Sequence, residues 1–240
     1  MPPANAPVVA SIESLGDGAL LLRLGETIDA TSNRRVHAIA TALQAQRPDW
    51  LIELTPAYAS LAVHVDVTAL HGDDPLASAR DWLLEWLAHA RIDTASAIAQ
   101  SIEIPVLYGG DAGPDFDALA VHANLRTTEL IDLHAGGDYT VAMLGFAPGF
   151  PYLLGLDPRL HAPRHPTPRA RVAAGSVGIG GAQTGIYPFA GPGGWQLIGR
   201  TPLRLFAAGR DSPSLLRPGD RVRFIAIGAA RFAALDEHSR

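Results

Sequence analysis

Apolar and polar positions change period several times along the first part of the chain, and each period predicts one element. Val8 to Leu24 reads as two strands broken at Gly16-Asp17-Gly18, a turn suited to a hairpin. Asp29-Ala30-Thr31-Ser32 offers N-cap groups ahead of Asn33 to Gln46, where Val36, Ile39, Ala40 and Leu43 recur at helical spacing. Trp50 to Glu53 and Ser60 to Val67 are rich in β-formers, with a Pro56-containing link between them. Asp74-Pro75 then opens a helix to about His89, carrying Leu76, Trp82, Leu83 and Trp86 on its apolar face. Strands sharing a sheet with two helices predict a compact α+β domain over residues 1–95. The small-residue segment Ala95 to Ser101 marks its boundary.

Residues 96–240 carry a different pattern. Ile102 to Leu107 is a strand followed by a Gly109-Gly110 turn, and Asp115 to His122 and Thr127 to Leu133 read as short helices. Tyr139 to Leu144 is again a strand. The end of the chain reads as a turn, Arg217-Pro218-Gly219-Asp220, and a closing strand, RVRFIAI. This half is expected to be a mainly β barrel with short helices.

Between those strands, Met143 to Phe206 mixes glycine, proline and aromatics at a density that no regular helix tolerates. It is too apolar for a disordered linker, which leaves short strands joined by demanding turns. Phe146, Phe150, Tyr152, Tyr187, Phe189 and Trp195 suit either a core or a groove whose backbone stays open to a ligand. Pro148 shares the first of these turns. Arg169, Arg171, Gln183 and Thr184 supply polar groups in the same stretch, and arginine suits a carboxylate or phosphate. The groove candidates are therefore Phe146, Pro148, Phe150, Tyr152, Arg169, Gln183, Thr184, Tyr187 and Trp195. Gly175, Gly178, Gly180, Gly181 and Gly185 suit turns or an anion cradle, but Gln183 breaks the dinucleotide pattern.

Composition narrows the chemistry. The 240 residues include no cysteine and no lysine, which removes disulfides, thiolate nucleophiles, Schiff-base chemistry and a Walker A loop. A formal net charge of −5 without a basic tract argues against nucleic acid as a partner. No apolar run reaches the ~20 residues of a membrane span, and the N-terminus lacks a signal-peptide pattern, so the cytoplasm is the expected compartment. His161 and His165 are spaced like a helical metal pair, but Pro163 and Pro166 forbid the helix, so both read as exposed loop residues and no metal site is expected. His64 reads as half-buried and structural. Asp111, Asp115, Asp117 and Asp157 are dispersed and suit turns or caps. No nucleophile paired with a base stands out.

Several of these segments together resemble one family. GFAPGFPYLLGLDPRL, TPRARVAAGSVGIGGAQTGIYPFAGPGGWQLIGRTP, NRRVHAIA and PAYASLAVHVD are similar to the KipI family, whose members are also called 5-oxoprolinase B subunits or allophanate hydrolase subunit 1, from about Ser14 to Ile227. The resemblance implies an N-terminal α+β domain and a cyclophilin-like β-barrel domain. It also implies one component of an ATP-dependent 5-oxoprolinase, which opens 5-oxo-L-proline to L-glutamate with KipA-like and LamB/YcsF-like partners. ATP with Mg would then act at the level of the complex, with none held tightly by this chain alone. Related domains occur within urea carboxylase and urea amidolyase, and the family name derives from inhibition of a sporulation histidine kinase. A regulatory protein docking on a sensor kinase and a carboxylase-associated component are thus the alternatives. No catalytic residue is carried over.

Overall fold

The computed structural model describes residues 9–92 and 100–239. The chain divides into two compact units, Met1–Ile98 and Ala99–Arg240. The segment expected as the boundary, 95–101, lies for the most part outside the described residues.

The first unit is an antiparallel sheet with two helices. Strands β1 (Ser11–Ser14) and β2 (Ala19–Arg23) form the expected hairpin, with Leu15 N–H closing onto Ala19 C=O at 2.8 Å. Helix α1 (Ala30–Ala45) starts at Asp29, whose carboxylate accepts the Thr31 and Ser32 amides at 2.9 and 2.8 Å. Strands β3 (Leu51–Pro56) and β4 (Ser60–Val65) complete the sheet in the order β1-β2-β4-β3. Along β4, Leu61, Val63 and Val65 are buried while the residues between them are half-exposed, the period of a sheet with one face on a core. Helix α2 (Pro75–His89) is capped by Asp74, which accepts the Ala77 amide at 2.9 Å, and has proline in its first turn. Val36, Ile39 and Leu43 of α1 and Leu83 and Trp86 of α2 meet the sheet in one core. His64 is half-buried and hydrogen-bonded to Thr55 at 3.1 Å.

The second unit is built around a closed barrel. In chain order it contains β5 (Ser101–Tyr108), α3 (Phe116–His122), α4 (Thr127–Ala135), β6 (Tyr139–Leu144) and β7 (Pro151–Leu154). These are followed by β8 (Arg169–Val172), β9 (Ser176–Gly180), β10 (Gln183–Ile186), β11 (Gly191–Gly193), β12 (Gln196–Arg200), β13 (Arg221–Ala226) and α5 (Ala229–Ser239). Seven strands close in the order β10-β7-β6-β13-β5-β12-β9, with β9 paired back to β10, and β8 with β11 forms a separate ribbon. The pairing of β13 with β5 is parallel and in register over six residue pairs, whereas the other barrel pairs are antiparallel. The barrel core gathers Ile104, Val106, Tyr139, Val141, Leu153, Val177, Ile179, Ile198 and Phe224, with α3 and α4 adding Leu119 and Leu130. The sequence pattern ends at the closing strand, but the alanine-rich tail continues as α5. No helix among the described residues is long and apolar enough to cross a membrane.

A polar thread runs through this core. His134 of α4 is fully buried, with Tyr108 Oη 2.7 Å from its Nδ1 and Thr184 Oγ1 3.0 Å from its Nε2. Thr184 donates its only hydroxyl proton to Gly178 C=O at 3.0 Å. The imidazole must therefore donate from Nε2, and the neutral ring accepts the Tyr108 proton at Nδ1. Burial agrees with this assignment. It lowers the His134 pKa to about 3 and pushes the Tyr108 hydroxyl well above its ordinary value. The second neighbouring phenol, Tyr139, donates to the His134 carbonyl at 2.9 Å.

The folded state thus refuses a proton that the unfolded chain accepts below about pH 6.5. Stability from this group is full above that value and declines as pH falls, by about 2 kcal/mol between pH 7 and pH 5. In His134→Gln that decline disappears, so the stability gap between parent and variant narrows by this amount on acidification. Native-state hydrogen exchange of the β9 and β10 amides at the two pH values measures it, and parallel profiles would refute it.

Candidate functional site

Glycine prepares the surface on which the aromatic residues sit. A Cβ on Gly180 would lie 2.6 Å from Trp195 Nε1, and one on Gly193 would lie 2.6 Å from Tyr187 Oη. At Gly185 it would meet the Phe150 ring at 3.1 Å and the Pro151 carbonyl at 2.7 Å. Gly178, Gly180 and Gly185 are thus strand residues whose bare backbone faces receive rings or close strand crossings. This differs from the turn role expected of them, which only Gly175 (φ 81°) and Gly181 (φ 66°) of that set fill.

Phe150, Tyr187 and Trp195 form a buried cluster with Val172 and Leu197, and Tyr152 packs against its edge. The rings meet edge to face: Phe150–Tyr187 at 5.2 Å, Phe150–Trp195 at 5.5 Å and Tyr152–Trp195 at 5.8 Å between centroids. The loop between β7 and β8 straps over this cluster. Arg164 lies 5.6 Å above the Trp195 ring, His165 N–H donates to Gly194 C=O at 2.7 Å, and Gln196 Nε2 donates to Pro163 C=O at 2.8 Å.

Phe146 caps the cluster from outside. It sits in a three-residue turn closed by Ala147 N–H onto Gly145 C=O at 2.7 Å, at φ 65°, a conformation costly for a bulky side chain. Its ring touches Phe150 and Tyr187 edge-on, yet the residue is 66% exposed, and Pro148 beside it is exposed as well. Phe189 is also exposed and packs on Phe206 at 5.7 Å. The strained turn thus holds an aromatic ring out to solvent.

The polar candidates separate into different places. Arg169 is held from within: its Nη2 donates to Asp115 Oδ1 at 2.6 Å. Asp115 is buried and also accepts the Leu197 amide on Oδ2 at 2.7 Å, with His165 Nε2 3.3 Å from the same oxygen. Burial pushes its carboxyl up, but the Arg169 guanidinium, the Leu197 amide and His165 outweigh that and hold it below the usual range. His165 is therefore half-buried beside Asp115, its Nε2 3.3 Å from the carboxylate but without a hydrogen bond to it, rather than the exposed loop residue expected, while His161 is exposed. Thr184 lies inside the barrel in the His134 chain, away from the aromatic surface. Gln183 is half-buried at the start of β10. Sequence alone gives Asp115 a turn or cap role, and no local signal ties it to Arg169, 54 positions away. Among the described residues no group of three or more His, Asp or Glu side chains could hold a metal ion.

A family model described as carboxyltransferase domain, subdomain C and D, matches residues 10–216. The chain belongs to this family. It is 44% identical over 234 residues to the 5-oxoprolinase B subunit of Bacillus subtilis, covering 95% of this chain and 97% of that one. The 5-oxoprolinase B subunit of Escherichia coli O157:H7 is 43% identical over 88% of this chain and 93% of its own length. Among solved structures, that of TTHA0988 superposes with a TM-score of 0.76 at 38% identity, covering 88% of this chain but only 40% of TTHA0988. In this carboxyltransferase C/D domain, then, the glycine-backed aromatic cluster and its exposed cap belong to a module that also occurs inside a longer chain.

Gly180→Ala tests the packing on which the cluster rests. The added methyl displaces the Trp195 indole and is expected to cost about 1–3 kcal/mol. Trp195→Phe in the same background should recover part of that loss. Urea unfolding followed through the β9 and β12 amides measures both, and an unperturbed Gly180→Ala barrel would contradict the arrangement.

Proposed function

We propose that this chain is the B subunit of an ATP-dependent 5-oxoprolinase, acting in a cytoplasmic complex that opens the lactam of 5-oxo-L-proline to L-glutamate. The end-to-end match with the Bacillus subtilis protein of that name carries the reading. In this reading the two compact units are the α+β domain and the cyclophilin-like barrel that the family resemblance implies. The companions are KipA-like and LamB/YcsF-like proteins.

The glycine-rich segment does not fit the phosphates of a nucleotide. Trp195, Phe150 and Tyr187 fill the faces of Gly180, Gly185 and Gly193, and the chain has no lysine to reach a terminal phosphate. We therefore assign ATP and its magnesium to the partner subunits. What this chain contributes is a rigid wall. Phe146 and Pro148 stand out from a packed aromatic base and offer an apolar contact to the next subunit. In TTHA0988 the same module is joined to further chain.

Two measurements test the reading. Mixed with both partner subunits, the chain should support 5-oxoproline-dependent ATP hydrolysis, and alone it should show none; robust turnover by the isolated chain would refute the shared site. Phe146→Gly keeps the φ 65° turn without strain while removing the ring. It should weaken assembly with the partner by about tenfold or more, as loss of an aromatic anchor does, and leave the barrel as stable as before. Analytical ultracentrifugation of the mixed subunits reads the loss.

A further inference from the structure

A cavity of about 380 Å³ opens on the barrel between the ribbon strand β8, strand β12 and helix α5. Three guanidinium side chains line it: Arg169 and Arg171 from β8, and Arg200 from the end of β12. Arg169 and Arg171 are two residues apart on one strand and so share a face. Leu107, Pro114 and Phe232 supply apolar wall. Ser176 is buried on the floor, and the one carboxylate lining the cavity belongs to exposed Asp111.

The three arginines are not equivalent. Arg200 is fixed, with Nε donating to Ala174 C=O at 2.8 Å and its guanidinium 5.8 Å from the Phe232 ring. Arg169 is anchored through Nη2 by Asp115, but its Nη1 is buried and has no acceptor. Arg171 is exposed and has no hydrogen-bond or ion-pair partner among the described residues. A buried guanidinium N–H without an acceptor is rare in folded proteins, and because this one is closed to solvent, Arg169 lends the cavity its charge rather than a direct contact. Two anchored cations and one free cation around a single small cavity, with apolar wall opposite, make a receptor for a planar oxyanion attached to a compact apolar body.

We propose that this cavity binds the carboxylate of a small carboxylic acid, with Arg171 and Arg200 as its ligands and the charge of Arg169 behind them. The choice of 5-oxoproline or its product glutamate as occupant rests on the 5-oxoprolinase reading; the carboxylate site itself does not. Both molecules are small enough for the cavity. The pocket is distinct from the Phe146 surface, so substrate capture and subunit contact fall to different parts of the barrel unit.

Isothermal titration of the full chain with 5-oxoproline, L-glutamate and inorganic phosphate, each at low and moderate salt, tests the site. Binding of 5-oxoproline or glutamate is expected, falling about tenfold or more in Arg171→Gln and in Arg200→Gln, since each removes a charge-assisted hydrogen bond. Arg80→Gln, which removes an exposed arginine of α2 far from this cavity in sequence, serves as a control and should bind as the parent does. Circular dichroism and thermal unfolding check that each variant is folded; if Arg200→Gln is not, Arg171→Gln alone decides, because its side chain is exposed. No binding, binding of phosphate only, or binding indifferent to both substitutions overturns the proposal. The assembled complex separates the two readings: turnover of 5-oxoproline with KM unchanged in Arg171→Gln defeats the site and leaves the oxoprolinase reading standing. Arginine-dependent glutamate binding in a complex that never turns over 5-oxoproline does the reverse.

Discussion

Asp115, buried at the start of α3, joins parts of the chain that are distant in sequence. It exchanges hydrogen bonds with the backbone of Leu197: its carboxylate accepts the Leu197 amide, and its own amide donates to the Leu197 carbonyl at 3.0 Å. It does so where β12 departs from regular register with β9, between Leu197 and Gly199. The other carboxylate oxygen fixes Arg169 on the ribbon, and His165 brings in the strap loop. A carboxylate taken out of water in this way is tolerable only because donors surround it. The ribbon, the strap and the irregular barrel strand therefore hold their positions together, and both the aromatic cluster and the arginine cavity border on that junction.

Rigidity in the aromatic cluster has a different origin. Large rings normally demand space from neighbouring side chains; here they take it from glycine backbone. Trp195 and Tyr187 lie against strands that have given up their own side chains, which sets each ring at a fixed height above the sheet. Phe146 can project only because the base beneath it cannot yield. A softer base would let the strained turn relax and draw the ring inward.

Much of this is legible in the sequence where local chemistry decides the outcome. The Gly16–Gly18 turn, the Asp29 and Asp74 caps and the boundaries of β6 follow from propensity, capping and period alone. What escapes has a common cause. Asp115, His134 and Thr184 acquire their roles from partners that barrel closure brings near, and nothing adjacent to them in sequence announces it. Glycine in a sequence suggests freedom of conformation, although several glycines here serve by their lack of bulk. Helix α5 escapes because a closing strand looks like an ending. His165 shows the same limit: proline-flanked and polar, it has every local mark of an exposed loop, and a carboxylate 50 residues upstream draws it in.

The parallel pairing of β13 with β5 has a consequence for how the molecule comes into being. The first strand of the barrel is hydrogen-bonded to the last, with Ser101 beside Arg221 and Val106 beside Ala226. On the ribosome β5 waits with one edge open until more than a hundred further residues have been made, so the cylinder cannot close around its core before β13 has emerged. Contacts of such long span are slow to form, and the waiting edge is the kind of surface that invites wrong pairings or a holding chaperone. Nascent chains cut short before β13 would thus leave the barrel open along a single seam.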